Sequence, residues 1–246
     1  MQAILVRVGV DQQYGKWNAP ADPRSRHFVY VPIPEKVGTQ FRPGLGRPYT
    51  ELLPVLKDFS TRCGLSSSKN LGFPYALLNC AMHLDPDFQY LTYGDNGEER
   101  GFEIARLERD DLLIFYSGFK SILPSRRLIY ALIGIYVVRE ILRAVDVQST
   151  RRVENAHTRK LKIGSPDIVV RAKEGVSGRL TRFIPIGEFR NRAYRVEAQL
   201  LEKWGGLTVR DGFIQRSARP PSFLDPEKFY QWFLDKKPKL IARNNQ

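Results

Sequence analysis

Leu128 to Val138 reads LIYALIGIYVV, and it follows closely on a second apolar run inside RDDLLIFYSG at 109–118. Such a segment has few places to go. As a helix it falls far short of the ~20 apolar residues that a membrane span needs. As one extended strand it would run about 36 Å, long for a straight strand in a globular sheet. Gly134, near its middle, is then the expected bend or bulge at which the strand turns a corner.

Other segments fill in around this strand. Gln2 to Val10 alternates as a strand should, HFVYVPI (27–33) reads as a second, and DIVVRA and RLTRFIPI as two more. TELLPVLKDFSTRCG places Leu52, Leu53, Leu56 and Phe59 on one helical face, with Gly64 as its stop. RNRAYRVEAQLLEKWGG reads as a helix burying Ala193, Val196, Leu200 and Trp204. LTVR, Asp211-Gly212, FIQR carries the strongest hairpin signal, because a two-residue type I′ turn needs positive φ at both positions. The last helix is fully punctuated, with Asp225 as cap, Pro226 at its first position, a core face of Phe229, Trp232 and Phe233, and Lys236 and Lys237 in its last turn. Residues 64–101 form the least regular stretch, expected to be a functional loop. The expected class is α+β, a strongly bent, mainly antiparallel sheet or barrel with about three flanking helices.

At 246 residues the chain can bury about 70–75% of its unfolded surface, so it needs neither disulfide nor metal for stability. Cys63 and Cys80 make no CxxC pair and read as reduced thiols. MQAILVRVGV has no basic flank and carries Arg7 within its apolar stretch, unlike a signal peptide, and a cytoplasmic, non-membrane protein is expected.

The net charge of +13 is unevenly placed. Residues 1–125 carry 14 Lys+Arg against 14 Asp+Glu, whereas residues 126–246 carry 25 against 12. In that basic half 17 of the cations are arginine, the side chain suited to bidentate phosphate contacts, which points to nucleic acid, with DNA favoured, or a nucleotide as partner. Arg151, Arg152, Arg159, Arg179, Arg190, Arg192 and Arg195 are the candidate phosphate contacts.

The chain has no P-loop, GxGxxG, HExxH, GxSxG or zinc-deaminase signature, and nothing in it names a cofactor. Two loops could still carry chemistry. DQQYGKWNAP offers Tyr14 and Trp17 to stack on a base and Asp11 and Asn18 to bond its edge, although an ordered loop with Trp17 packed on the sheet fits the residues equally. In HLDPDFQYLTYGD, His83, Asp85 and Asp87 could bind a divalent metal or pair as acid and base, but Asp-Pro-Asp is also turn chemistry, so no metal ligand set is assigned. His157, in NAHTR, is a further candidate acid or base.

Taken together, VRVGVDQQYGKWNAP, FVYVPIPE, HLDPDFQYLTYGD, DDLLIFYSG, LIYALIGIYVV, NAHTR, SGRLTRFIPIGEFRNRAYRV, WGGLTVRDGFIQRS and FLDPEKFYQWF resemble the third type of nucleotide modification associated domain, a family tied to DNA base hypermodification. That resemblance implies one such domain over residues 1–246. The pairing of DDLLIFYSG with IYALIGIYVVRE also resembles EVE and related PUA-like barrels, though these open the strand with Gly-Asp where this chain has Asp110-Asp111. It implies that Leu112 to Phe115 are barrel wall and that Tyr116, Ser117 and Gly118 rim a base pocket, with Tyr93 nearby. The expected function is binding of a modified base or nucleotide, possible partners including other base-modification proteins. The alternative is an enzyme that modifies a base or nucleotide, with Asp11, His83, Asp85 and His157 converging as proton carriers or ligands.

Overall fold

A computed structural model describes residues 1–66, 71–98, 101–215 and 219–246. The alternating N-terminal residues form β1 (Ala3–Arg7), and short extended pieces follow as β2 (Pro20–Ala21), β3 (Ile33–Pro34), β4 (Met82–His83) and β5 (Thr92–Asn96). The two apolar runs are β6 (Leu112–Ser121) and the 15-residue β7 (Ile129–Arg143). After them come β8 (Asp167–Ala172), β9 (Gly178–Pro185), the hairpin β10 (Gly187–Arg190) and β11 (Ala193–Val196), and β12 (Leu240–Ile241).

An eight-stranded, mostly antiparallel sheet runs β1-β6-β7-β8-β5, with β2 on β6, β9 on β7 and β12 on β9. The architecture is thus mixed α/β with one large sheet, as expected. The barrel is not formed: among the described residues no strand pair closes the sheet on itself. The reason lies in β7, whose residues 131–135 pair with β9 while residues 138–143 pair with β8, so the strand fans the sheet open.

Gly134 is the irregularity that the sequence required. Phe115 lies opposite Gly134 and Tyr116 opposite Leu132, leaving Ile133 as the extra residue of a bulge. One inserted residue reverses the alternation of a strand. Tyr130 and Leu132 accordingly share a core with Ile135 and Val137, while Ala131 and Ile133 share the opposite one with Tyr136 and Val138. A side chain at 134 would collide with Phe88, since an added Cβ would stand 2.5 Å from its ring. Each face of the sheet buries its own core, and the fully apolar sequence of β7 follows from being covered on both sides.

The helices are α1 (Leu53–Arg62), α2 (Tyr75–Leu78), α3 (Phe102–Ala105), α4 (Ala156–Arg159), α5 (Ala198–Lys203) and α6 (Pro226–Asp235). α1 begins at Leu53 with Pro54 in its first turn, and Leu53 itself is exposed. In α6 the Asp225 carboxylate accepts from the Lys228 N–H at 3.0 Å and Phe229 and Phe233 are buried, but the helix stops at Asp235, before both lysines. Residues 64–101 hold α2, β4 and β5, with 67–70 and 99–100 outside the described residues.

Two expectations are corrected. Residues 190–205 are not one helix: Asn191 and Arg192 take φ of 52° and 60°, a two-residue turn that joins β10 to β11, and only Ala198–Lys203 is helical. Ala193 and Val196 are buried all the same, from a strand. Asp211 and Gly212 do adopt positive φ, 53° and 62°, yet they make no hairpin. Their flanks bridge elsewhere, Leu207 to Phe223 and Phe213 to Arg195, because Arg190 and Arg195 hold the Asp211 carboxylate at 2.5 and 3.4 Å and turn the segment toward β11. Arg216, the last residue of the expected second hairpin strand, lies outside the described residues.

Candidate metal centre

Three of the four residues expected to carry proton or ligand chemistry meet. β4 carries His83, Asp85 follows two residues later, and α4, which packs against β5 and β8, brings His157. The Asn155 side chain caps α4 by accepting from the His157 N–H at 2.9 Å, and its amide also reaches Asp85 Oδ1 at 3.3 Å. The Gly94 N–H, on β5, donates to both oxygens of Asp85 at 2.8 Å. This position must be glycine, since a Cβ would stand 2.5 Å from the His157 ring and 2.6 Å from Asn155 Oδ1.

Asp85 Oδ2 lies 3.9 Å from His83 Nε2 and 3.7 Å from His157 Nε2, and the ring centroids are 5.1 Å apart. One ligand atom from each of the three residues falls within 4.8 Å of the others. The outer nitrogens face further carboxylates: His83 Nδ1 is 2.9 Å from Glu35 Oε1, and His157 Nδ1 is 2.9 Å from Asp167 Oδ2, off the hydrogen-bonding line. Lys160 Nζ approaches Glu35 Oε2 at 3.7 Å. A carboxylate behind an imidazole fixes the proton on the outer nitrogen and turns the inner lone pair toward a cation.

Burial pushes the Asp85 carboxyl well above the usual carboxylate range, against the Gly94 and Asn155 bonds, and the nearby Asp95 and Asp87 add to the rise. Among the described residues no Lys or Arg lies within ion-pair distance of Asp85; its ionic neighbours are the two imidazoles. Burial likewise lowers His83, in opposition to its Glu35 bond. Although burial alone would raise them, Glu35 and Asp167 are held below their ordinary values by His83 and His157 respectively. Two ligands about 2.1 Å from a tetrahedral cation stand roughly 3.4 Å apart, so Asp85 is within a few tenths of an ångström of ligand spacing to each histidine, and the three ligand atoms, all within 4.8 Å, would draw together around a divalent ion. Two imidazoles and one carboxylate suit zinc or a first-row transition metal and leave coordination positions for water or substrate.

The remaining sequence candidates lie elsewhere. Asp87, two residues from Asp85, is fully buried and paired with Arg159 at 2.5 Å, and it accepts from Asn244 at 2.9 Å. Asp11 caps its own turn, accepting from Gln13 and Tyr14 N–H at 2.7 Å, and pairs with Arg7 at 2.9 Å. Trp17 is buried edge-on to Phe73 and donates to the Leu71 carbonyl, while Asn18 donates to the Gly118 carbonyl at 2.9 Å. Tyr14 is exposed.

The strand end Tyr116-Ser117-Gly118 is enclosed. The Tyr116 hydroxyl donates to the Ile214 carbonyl at 2.8 Å, Ser117 is buried beside Gly9, and Gly118 lies under the Tyr130 ring. Tyr93 packs on Phe115 and donates to Asp95 at 2.8 Å. Of the arginines, Arg159 is buried on Asp87, and Arg179 is buried against the Phe28 ring at 4.1 Å, where burial pushes its guanidinium down to about 9. Arg190 and Arg195 hold Asp211. Arg151 pairs with Glu154 at 3.0 Å, Arg152 is half-buried, and Arg192 is exposed.

Glu35, Asp167, Gly94 and Asn155 were not singled out by the sequence reading. The available signal was position: Glu35 ends the segment after β3, and Asp167 opens β8.

A protein in which a bent open sheet gathers two carboxylate-backed histidines around a buried aspartate belongs, by class, among those with a built polar centre. A family model described as nucleotide modification associated domain 3 matches residues 2–227, and the chain belongs to that family, which associates it with nucleotide modification. No curated protein and no solved structure matches it. Among the described residues no helix is long and apolar enough to cross a membrane.

Proposed function

We propose that this chain is an enzyme that modifies a nucleic-acid base or nucleotide with the help of a divalent metal held by His83, Asp85 and His157. The observation that carries the reading is the buried Asp85 carboxylate, which faces two imidazole edges and no lysine or arginine among the described residues. Burial disfavours the ionised form of such a carboxylate, and a cation beside it would restore that form. When bound, the metal supplies Lewis acidity and lowers the pKa of a coordinated water. The protein's own part is to hold the His83 Nε2 lone pair inward through Glu35, to set the Asp167 charge beside His157 Nδ1, and to fix Asp85 by the Gly94 N–H. The family supports a nucleotide or nucleic acid as substrate. Pure base reading is the weaker account, because Trp17, Asn18 and Tyr116 spend their polar atoms on backbone carbonyls.

The test is metal titration by calorimetry on chelator-stripped protein, with zinc, iron(II) and manganese(II), together with mass spectrometry of nucleosides after incubation with DNA or nucleotides. The wild type should bind one equivalent of at least one metal, and His83→Ala and His157→Ala should abolish that binding. A stripped wild type that takes up none of the three would remove the metal reading.

A further inference from the structure

A second cationic feature lies away from this centre. A cleft of about 630 Å³ is lined by Arg62 at the end of α1, Thr181 on β9, and Lys239, Ile241, Arg243 and Gln246 of the C-terminal tail among others, with no acidic residue in its wall. Arg62, Lys239 and Arg243 are exposed, and none of them has a carboxylate within ion-pair distance among the described residues. This contrasts with Arg151, Arg159, Arg190 and Arg195, which are neutralised within the fold.

The tail that presents two of these cations is pinned in place. Thr181 N–H donates to the Lys239 carbonyl at 3.0 Å, and Leu240 and Ile241 pair with β9. Beyond them, Asn244 accepts from the Phe88 N–H at 2.8 Å and donates to Asp87, while Asn245 accepts from and donates to the backbone of Tyr30 at 2.8 and 2.9 Å. The backbone that carries Lys239 and Arg243 is therefore fixed along the wall. Charge held in a preset array needs less ordering on binding than charge on a loose tail.

Of the cleft cations, Arg62 also acts on His27. His27 is held below the ordinary histidine value by burial first, then by Arg182 and Arg62, with Asp22 opposing and Arg179 adding from behind. Asp22, the acid among these neighbours, spends its oxygens on the Arg24 and Ser25 N–H groups and the Ser25 hydroxyl. Arg243 also lines the adjoining cavity, whose wall includes Met82 and Leu84, the residues on either side of His83. The two cavities thus share Arg243, and neither is lined by His83, Asp85 or His157.

We infer that the cleft of Arg62, Lys239 and Arg243 is a docking surface for the phosphate backbone of a nucleic-acid strand. The strand as occupant rests on the proposed substrate class, while the cationic surface stands on its own geometry. Phosphate contacts of this kind carry affinity and register but no sequence information.

The experiment is fluorescence anisotropy of labelled duplex and single-stranded DNA over a salt series, with wild type, the triple variant Arg62→Ala, Lys239→Ala, Arg243→Ala, and His157→Ala. Each lost contact should reduce the slope of log affinity against log salt by about 0.9 for duplex and about 0.7 for single strands. The triple variant should bind at least about tenfold more weakly with a shallower slope. The His157→Ala protein should keep the wild-type slope, so failure of the metal reading and failure of this one remain distinguishable. In a parallel histidine NMR titration, DNA should raise the His27 pKa, which loss of a merely structural residue would not do. An unchanged slope in the triple variant would overturn the inference. So would equal binding of polyglutamate or anionic vesicles, which would assign the surface to an acidic protein or to a membrane.

Discussion

The turns after β1 and β2 and the Asp-Pro-Asp segment after β4 all bury aspartates, and the two regions treat them in opposite ways. Asp11 and Asp22 receive backbone N–H groups from the residues that follow, and Asp11 also takes the Arg7 guanidinium. Asp85 receives one glycine N–H, one amide and two imidazole edges. The titration follows: Asp22 is lowered and Asp85 raised, although burial pushes both the same way. A carboxylate whose lone pairs are filled by its own turn is a structural device. One buried with imidazoles and no lysine or arginine has its charge left uncompensated by its own turn.

Asp87 offers the sharpest way to break this contrast, because it lies two residues from Asp85 and is buried more deeply, yet has its cation built in. Arg159→Met should strip that cation and leave the carboxylate with only its Asn244 and Gln89 hydrogen bonds in the core, at a cost of about 3–5 kcal/mol. Urea denaturation would measure it. A loss near zero would mean that the Arg159 pair is not what holds Asp87 in the core.

Gly94→Ala comes next. The added methyl has nowhere to go between the His157 ring and Asn155, so an overpacking loss of about 1–3 kcal/mol is expected, accompanied by loss of metal uptake. Calorimetric titration beside a melting curve separates the two effects. Retained metal binding in a folded Gly94→Ala protein would mean that Asp85 is not held for a ligand by this N–H.

How much of this was legible in the sequence follows the same division. Gly134 announced its bulge because an apolar run of that length had no straight solution. The cap of α6 was readable because Asp225 and Pro226 act locally. The segment 190–205 misled because Ala193 and Val196 satisfy a helical spacing as well as the inward positions of a hairpin strand, and nothing local revealed the turn at Asn191 and Arg192. Asp211-Gly212 supplied the right backbone angles but not the partners, which are set by Arg190 and Arg195 across the fold. At the candidate centre, His83, Asp85 and His157 were visible as residue types, and their meeting was not, since 74 positions separate His83 from His157. Glu35 and Asp167 were invisible for a related reason: a single carboxylate at a strand end acquires a role only when tertiary structure sets an imidazole against it.

Those two carboxylates give a subtler test. Glu35→Gln keeps the shape behind His83 while removing the charge that orients its ring, and should weaken metal affinity about 10–100-fold with stability little changed. Competition against a chelator of known affinity would read it. An unchanged affinity would reduce Glu35 to a partner of Lys160.

The smallest expected effect belongs to the turn side of the comparison and carries the sign opposite to that of Asp85. Asp22 is held below its ordinary value by the Ser25 hydroxyl and the Arg24 and Ser25 N–H groups, which outweigh its desolvation. Its folded pKa is depressed, so its contribution is present above the unfolded value and lost as pH falls through the folded one. Asp22→Asn should therefore lower stability by about 1 kcal/mol at neutral pH, with the gap to wild type closing below about pH 4. Denaturation curves for the two proteins at pH 7 and pH 3 would measure this. A gap that widened in acid would mean that Asp22 is not the satisfied turn carboxylate its hydrogen bonds describe.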